Sequence, residues 1–69
     1  MSSTVRFADV QRKLNAAGWF VDRVAGSHHV IKKPGVPTNL AIPVHNGKCK
    51  LAYDRQADKA IRESQGQRP

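Results

Sequence analysis

The residues best equipped for chemistry are three histidines, His28, His29 and His45, in a chain with one tryptophan and one tyrosine. His28 and His29 follow Gly26-Ser27, and His45 follows Pro43-Val44. Imidazole titrates near pH 6.5, so it can take and give protons at neutral pH. RNA carries its own nucleophile, the 2′-hydroxyl. Cleaving it requires a base for that hydroxyl, an acid for the departing 5′-oxygen, and positive charge around the phosphorane. One well-placed histidine contributes about 10²–10⁴-fold. A glycine such as Gly26 lets backbone approach a phosphate closely, and amides or lysines near the turn can stabilise developing charge.

The histidines are not equivalent. His28 follows a turn and opens a strand, and His45 follows a strand where it passes into a loop, so both are expected at accessible strand ends. In a simple hairpin the start of one strand lies near the end of the next, which favours a meeting of His28 and His45. His29 alternates with His28, points to the opposite sheet face, and reads as structural or phosphate-contacting. His45 also has a plain structural role open to it, a backbone hydrogen bond at the loop. Cys49 lies between Lys48 and Lys50, which would lower a thiol pKa; with no base to orient it, it reads as a small, semi-buried residue. Paired ligands at Cys-x-x-Cys or His-x₃-His spacing are lacking, so no metal or other cofactor is expected.

Twelve Lys and Arg against five Asp and Glu leave a formal net charge of +7 on 69 residues. A polyanionic partner is expected, with Arg23, Lys32, Lys33, Lys48 and Lys50 as phosphate contacts beside Gly26 and Ser27. A single domain of this size has a small core, so a shallow surface site suited to a long polymer is expected rather than an engulfing cavity. There is no long apolar stretch for a membrane and no signal-peptide pattern. The lone cysteine forms no internal disulfide, and a cytoplasmic location is the default expectation.

The elements that would position these groups follow from periodicity. Phe7, Val10, Leu14 and Ala17 repeat at three and four residues, predicting a helix with one buried stripe, closed by a left-handed cap at Gly18. Residues 1–5 read as a frayed start. Trp19–Val24 reads as a strand, Ala25-Gly26-Ser27 as a turn, and His28–Lys33 as a second strand. Of Trp19 and Phe20, either of which could stack on a base, one is expected in the core. Pro34-Gly35-Val36-Pro37 breaks the chain. Asn39–Val44 reads as a third strand, at an edge because Pro43 has no N–H for a ladder. His45–Lys48 is read as a loop. A second helix, using Ala57, Ala60 and Ile61, starts near Lys50 or at Asp54, with Asp54 preferred as N-cap. Ser64–Pro69 reads as an unordered polar tail. The sum is an α+β domain, α-β-β-β-α, with a three-stranded antiparallel sheet, two helices on one face, the arrangement of double-stranded-RNA-binding domains, and an ordered core over about residues 6–64.

Ala17-Gly18-Trp19, Arg23, Gly26-Ser27-His28-His29 and Pro43-Val44-His45, in this order, resemble the HicA toxins, small endoribonucleases of bacterial type II toxin–antitoxin systems. The resemblance covers roughly residues 7–47. It implies metal-independent cleavage of mRNA, a single catalytic histidine falling on His28, and a HicB antitoxin partner that blocks the site. Leu51-Ala52-Tyr53-Asp54-Arg55 departs from the Gly-Thr-Leu-like start that the last helix has in that family. The alternative is a non-catalytic RNA-binding module of the same fold. A DNA-binding regulator is a weaker reading, since no recognition helix stands out.

Overall fold

The computed structural model describes residues 3–65. The order is β1 (Thr4–Arg6), α1 (Phe7–Ala16), β2 (Phe20–Ala25), β3 (His28–Lys32), β4 (Leu40–Pro43), β5 (Lys48–Lys50) and α2 (Leu51–Gln65). Strands β2, β3 and β4 form a three-stranded antiparallel sheet with β3 in the middle. Strands β1 and β5 form a separate antiparallel ribbon. The architecture is therefore α+β, a three-stranded antiparallel sheet with two helices, with a two-stranded addition.

Helix α1 forms where the apolar stripe places it. Phe7, Val10 and Leu14 are buried, and Ala17 packs against the same cluster. Its end is a Schellman motif: the Trp19 N–H donates to the Leu14 carbonyl at 2.9 Å and the Gly18 N–H to Asn15 at 3.0 Å, with Gly18 at φ +92°. The turn delivers Trp19 to the core, where it is 2% exposed, while Phe20 alternates outward and is 44% exposed. Ile31 from β3, Ile42 from β4, Cys49 from β5 and Ala57 from α2 complete the buried cluster.

Strand ends shift by a residue from the sequence reading, and four features differ outright. The supposed frayed start contains β1, paired Thr4 to Lys50, Val5 to Cys49 and Arg6 to Lys48. The supposed loop at 45–48 is a hairpin turn whose end residues exchange backbone hydrogen bonds: His45 N–H to Lys48 O and Lys48 N–H to His45 O, both 2.9 Å. Asn46 and Gly47 have φ of +53° and +75°, the two left-handed residues of a type I′ turn. Helix α2 starts at Leu51, not Asp54. At that start the Leu51 N–H donates to the Ser3 carbonyl at 2.7 Å. The Asp54 carboxylate is instead bound by Lys13 of α1, which also reaches Asp58 at 2.8 Å. Finally, Ser64 and Gln65 continue α2. Ser64 is buried and accepts a hydrogen bond from the Trp19 indole at 3.4 Å. The rest of the tail, 66–69, and residues 1–2 lie outside the described residues.

Candidate functional site

Strand register sorts the side chains onto two faces. Residues opposite one another share a face. Val21/Ile31 and His29/Ile42 lie on the helix-covered side. Phe20/Lys32, Arg23/Val30, Ala25/His28 and His28/Pro43 lie on the other. His28 and His29 are thereby separated as the alternation predicts. His29 packs on Phe7, ring centroids 4.7 Å apart at 53°, with its Nδ1 buried and without a hydrogen-bond partner. His28 is exposed, and no side chain among the described residues hydrogen-bonds to its imidazole.

Two tight turns bring this face together. Ala25 pairs with His28, leaving Gly26-Ser27 as a two-residue loop. Gly26 has φ +61° and Ser27 has no positive φ, the pattern of a type II′ turn. The Val44 N–H donates to the Ser27 carbonyl at 2.8 Å. Ser27/Val44 is thus a hydrogen-bonded position, and by alternation His28/Pro43 is the close, non-bonded kind, with Cα atoms about 4.5 Å apart. This position also suits Pro43, whose nitrogen faces away from β3 on an edge strand, where no donor is needed. His45 lies two residues beyond Pro43, at the diagonal position to His28, where Cα atoms are typically about 7–8 Å apart.

Beyond Pro43 the surface opens into a cleft of about 420 Å³, lined by Thr4, Pro43, His45, Asn46, Lys48, Cys49, Lys50 and Tyr53. Its cations come from the β4–β5 turn and β5. Cys49, between Lys48 and Lys50, is buried in the core cluster, and its thiol pKa is raised, chiefly by burial and then by Asp54, against a smaller opposite pull from Lys13. The flanking lysines do not activate it: residues 48 and 50 alternate to the other side of the strand from 49.

The remaining predicted cations are dispersed. Arg23 and Lys32 flank Asp22, at 3.4 and 3.5 Å. Asp22 is the extra residue of a β-bulge between Val21 and Arg23, a feature for which the sequence carries no signal. Lys33 lies with its Cε against Gly18, at the C-terminal end of α1, where a cation suits the helix dipole. It stands about 16 Å along the strand from His28, at 3.3 Å per residue. Sequence reasoning missed Tyr53 and Arg6. Arg6 pairs with Lys48 in the β1–β5 ribbon and bonds Asp9 at 3.5 Å. The Asn46-Gly47 dipeptide was the available signal for this second hairpin. Among the described residues no three His, Cys, Asp or Glu side chains gather in a way that could hold a metal ion, and no helix is long and apolar enough to cross a membrane.

A helix-backed antiparallel sheet whose bare face carries an exposed histidine, beside a ribbon whose Lys48 and Lys50 have no carboxylate partner among the described residues, defines a small α+β protein with a surface site. Residues 7–51 match the family described as the HicA toxin of bacterial toxin–antitoxin, and this chain belongs to that family. It is a toxin of a toxin–antitoxin system. The matched segment runs from the first residue of α1 to the first of α2 and contains both histidine-bearing turns. No curated protein and no solved structure matches the chain.

Proposed function

We propose that this toxin is an mRNA-cleaving endoribonuclease that works by histidine acid–base catalysis, with His28 at its centre. The observation that carries the reading is the placement of His28: an exposed imidazole beside a type II′ glycine turn, on the uncovered face of the sheet. His28 removes the 2′-hydroxyl proton, or serves as the acid in the same step. The 2′-oxygen forms a bond to phosphorus as the bond to the 5′-oxygen breaks. His45, diagonal to His28, is the candidate for the complementary proton transfer to the departing oxygen. The products are a 2′,3′-cyclic phosphate and a free 5′-hydroxyl, and no metal enters the step. Backbone at Gly26 and Ser27 and the side chains of Lys48 and Lys50 face the phosphate. Arg23 and Lys32 hold flanking phosphates once they turn from Asp22, and Lys33 contributes at the far end of β3.

The partner that silences the toxin is a HicB-like antitoxin covering this face. The site of action is the cytoplasm, where mRNA is found. The whole chain acts as one catalytic domain. The test is incubation of purified protein with RNA in chelator. Cleavage to cyclic-phosphate ends by the parent and none by His28→Ala supports the reading. Intact RNA with the parent, or equal cleavage and growth arrest by both, overturns it and leaves the non-catalytic RNA-binding module.

A further inference from the structure

We infer that the cleft beyond Pro43 is a nucleotide subsite, in which a base of single-stranded RNA next to the reacting phosphate stacks on Tyr53 while its backbone rests on Lys48 and Lys50. This rests on the cleavage reading for the words "reacting phosphate" but not for the binding itself.

Three observations carry it. The first is position. Pro43 is directly opposite His28 and is also a wall of the cleft, so the cleft opens one strand spacing from the exposed imidazole. The second is chemistry. The lining combines an aromatic ring and a proline with His45, Lys48 and Lys50. An aromatic side chain beside backbone-tracking cations is the arrangement by which proteins hold single-stranded nucleic acid, and an unstacked base is what RNA offers to such a site. The cleft volume of about 420 Å³ lies within the range of about 300–1,000 Å³ typical of small-molecule sites. The third is charge. None of the five acidic residues lines the cleft. Asp9 pairs with Arg6 and Arg12, Asp22 with Arg23 and Lys32, and Asp54 and Asp58 with Lys13. Glu63 lines a separate small pocket beside Trp19. Lys48 and Lys50 have no carboxylate partner among the described residues and are left to an external anion.

The test uses the full chain and short RNA oligonucleotides made uncleavable by 2′-O-methyl groups, so that binding is read without catalysis. A single abasic nucleotide is moved along the oligonucleotide, and affinity is measured by fluorescence anisotropy for the parent, Tyr53→Leu and Tyr53→Phe. For the parent, one abasic position costs about tenfold in affinity, within the usual worth of one stacked base. Tyr53→Leu loses a similar factor on intact RNA and becomes insensitive to the abasic position; Tyr53→Phe keeps both the affinity and the sensitivity. Thermal melts of each variant verify folding, and Lys50→Gln, on an exposed strand position, gives a second readout through a shallower salt dependence. Equal abasic sensitivity in the parent and Tyr53→Leu, or no sensitive position at all, overturns the subsite. Failure of the cleavage reading alone appears as site-selective binding of the same oligonucleotides with no cleavage of unmodified RNA.

Discussion

The two hairpin turns at one end of the sheet, Ala25-Gly26-Ser27-His28 and His45-Asn46-Gly47-Lys48, use the same local device for different ends. Each is a two-residue loop with a glycine at positive φ, and each sets a histidine at a strand terminus. The first leaves His28 bare on the sheet face, against Pro43. The second locks His45 opposite Lys48 at the mouth of a cleft, and its Gly47 carbonyl accepts the first N–H of α1, from Phe7, at 2.8 Å. The first turn is tied to the neighbouring strand, through the Val44 N–H, and the second ties the chain to the start of α1. A group that must meet a changing substrate is best placed on the first. A group that orients a substrate through fixed neighbours suits the second.

The largest expected effect breaks this comparison at His28. His28→Ala lowers the cleavage rate by about 10²–10⁴-fold and abolishes growth arrest on induction, while binding to uncleavable RNA persists. His45→Ala is expected to cost less, about 10²-fold at most, and to remove one limb of the pH–rate profile. A profile that keeps both limbs in His45→Ala assigns His45 to the plain turn role. Next comes a test of the turn itself. A Cβ at Gly26 meets nothing within 4 Å, so Gly26→Ala isolates the cost of the left-handed backbone, about 1–2 kcal/mol. In a domain of this size that lowers the melting temperature by about 4–8 °C per kcal/mol.

Alkaline titration probes the contact between α1 and α2 and the buried thiol of β5. Burial lowers the Lys13 pKa, but its hydrogen bonds and charge interactions with Asp54 and Asp58 outweigh that, and the net shift is upward from 10.5. The Cys49 pKa is shifted up from 9.0. Both groups hold their protons more tightly when folded. Their stabilisation is complete below the ordinary values and is lost as pH rises through the raised ones. Melting temperature is therefore expected to fall above about pH 9, and Lys13→Gln to flatten the upper part of that decline. The smallest effect distinguishes the cations. For single strands, Lys48→Gln lowers the slope of log affinity against log salt by about 0.7, whereas Lys33→Gln, held against Gly18, changes it less.

Much of the molecule was legible from local pattern. The stripe Phe7, Val10, Leu14 marked α1 and its buried face, and Gly18 marked its end. The alternation of His28 and His29 predicted which of them turns from the core, and Pro43 predicted an edge strand. The errors fall where a long-range partner decides. Thr4–Arg6 has no strand pattern of its own and becomes one because Lys48–Lys50 pairs with it. Asp54 has the chemistry of an N-cap, but Lys13, forty-one residues away, takes its carboxylate. Ser64 reads as part of a polar tail until the Trp19 indole meets it.

The sequence by itself thus determined the helix, the sheet strands, the facing of the two adjacent histidines and the basic character of the chain. Each of these rests on periodicity or composition, which need no knowledge of neighbours. Only the tertiary structure decided that β1 and β5 join, that the four aspartates pair with other cations, and that Pro43, His45, Lys48, Lys50 and Tyr53 line one cleft. Those facts depend on which surfaces meet across the fold, and contact between distant residues leaves no mark in the local order of residues.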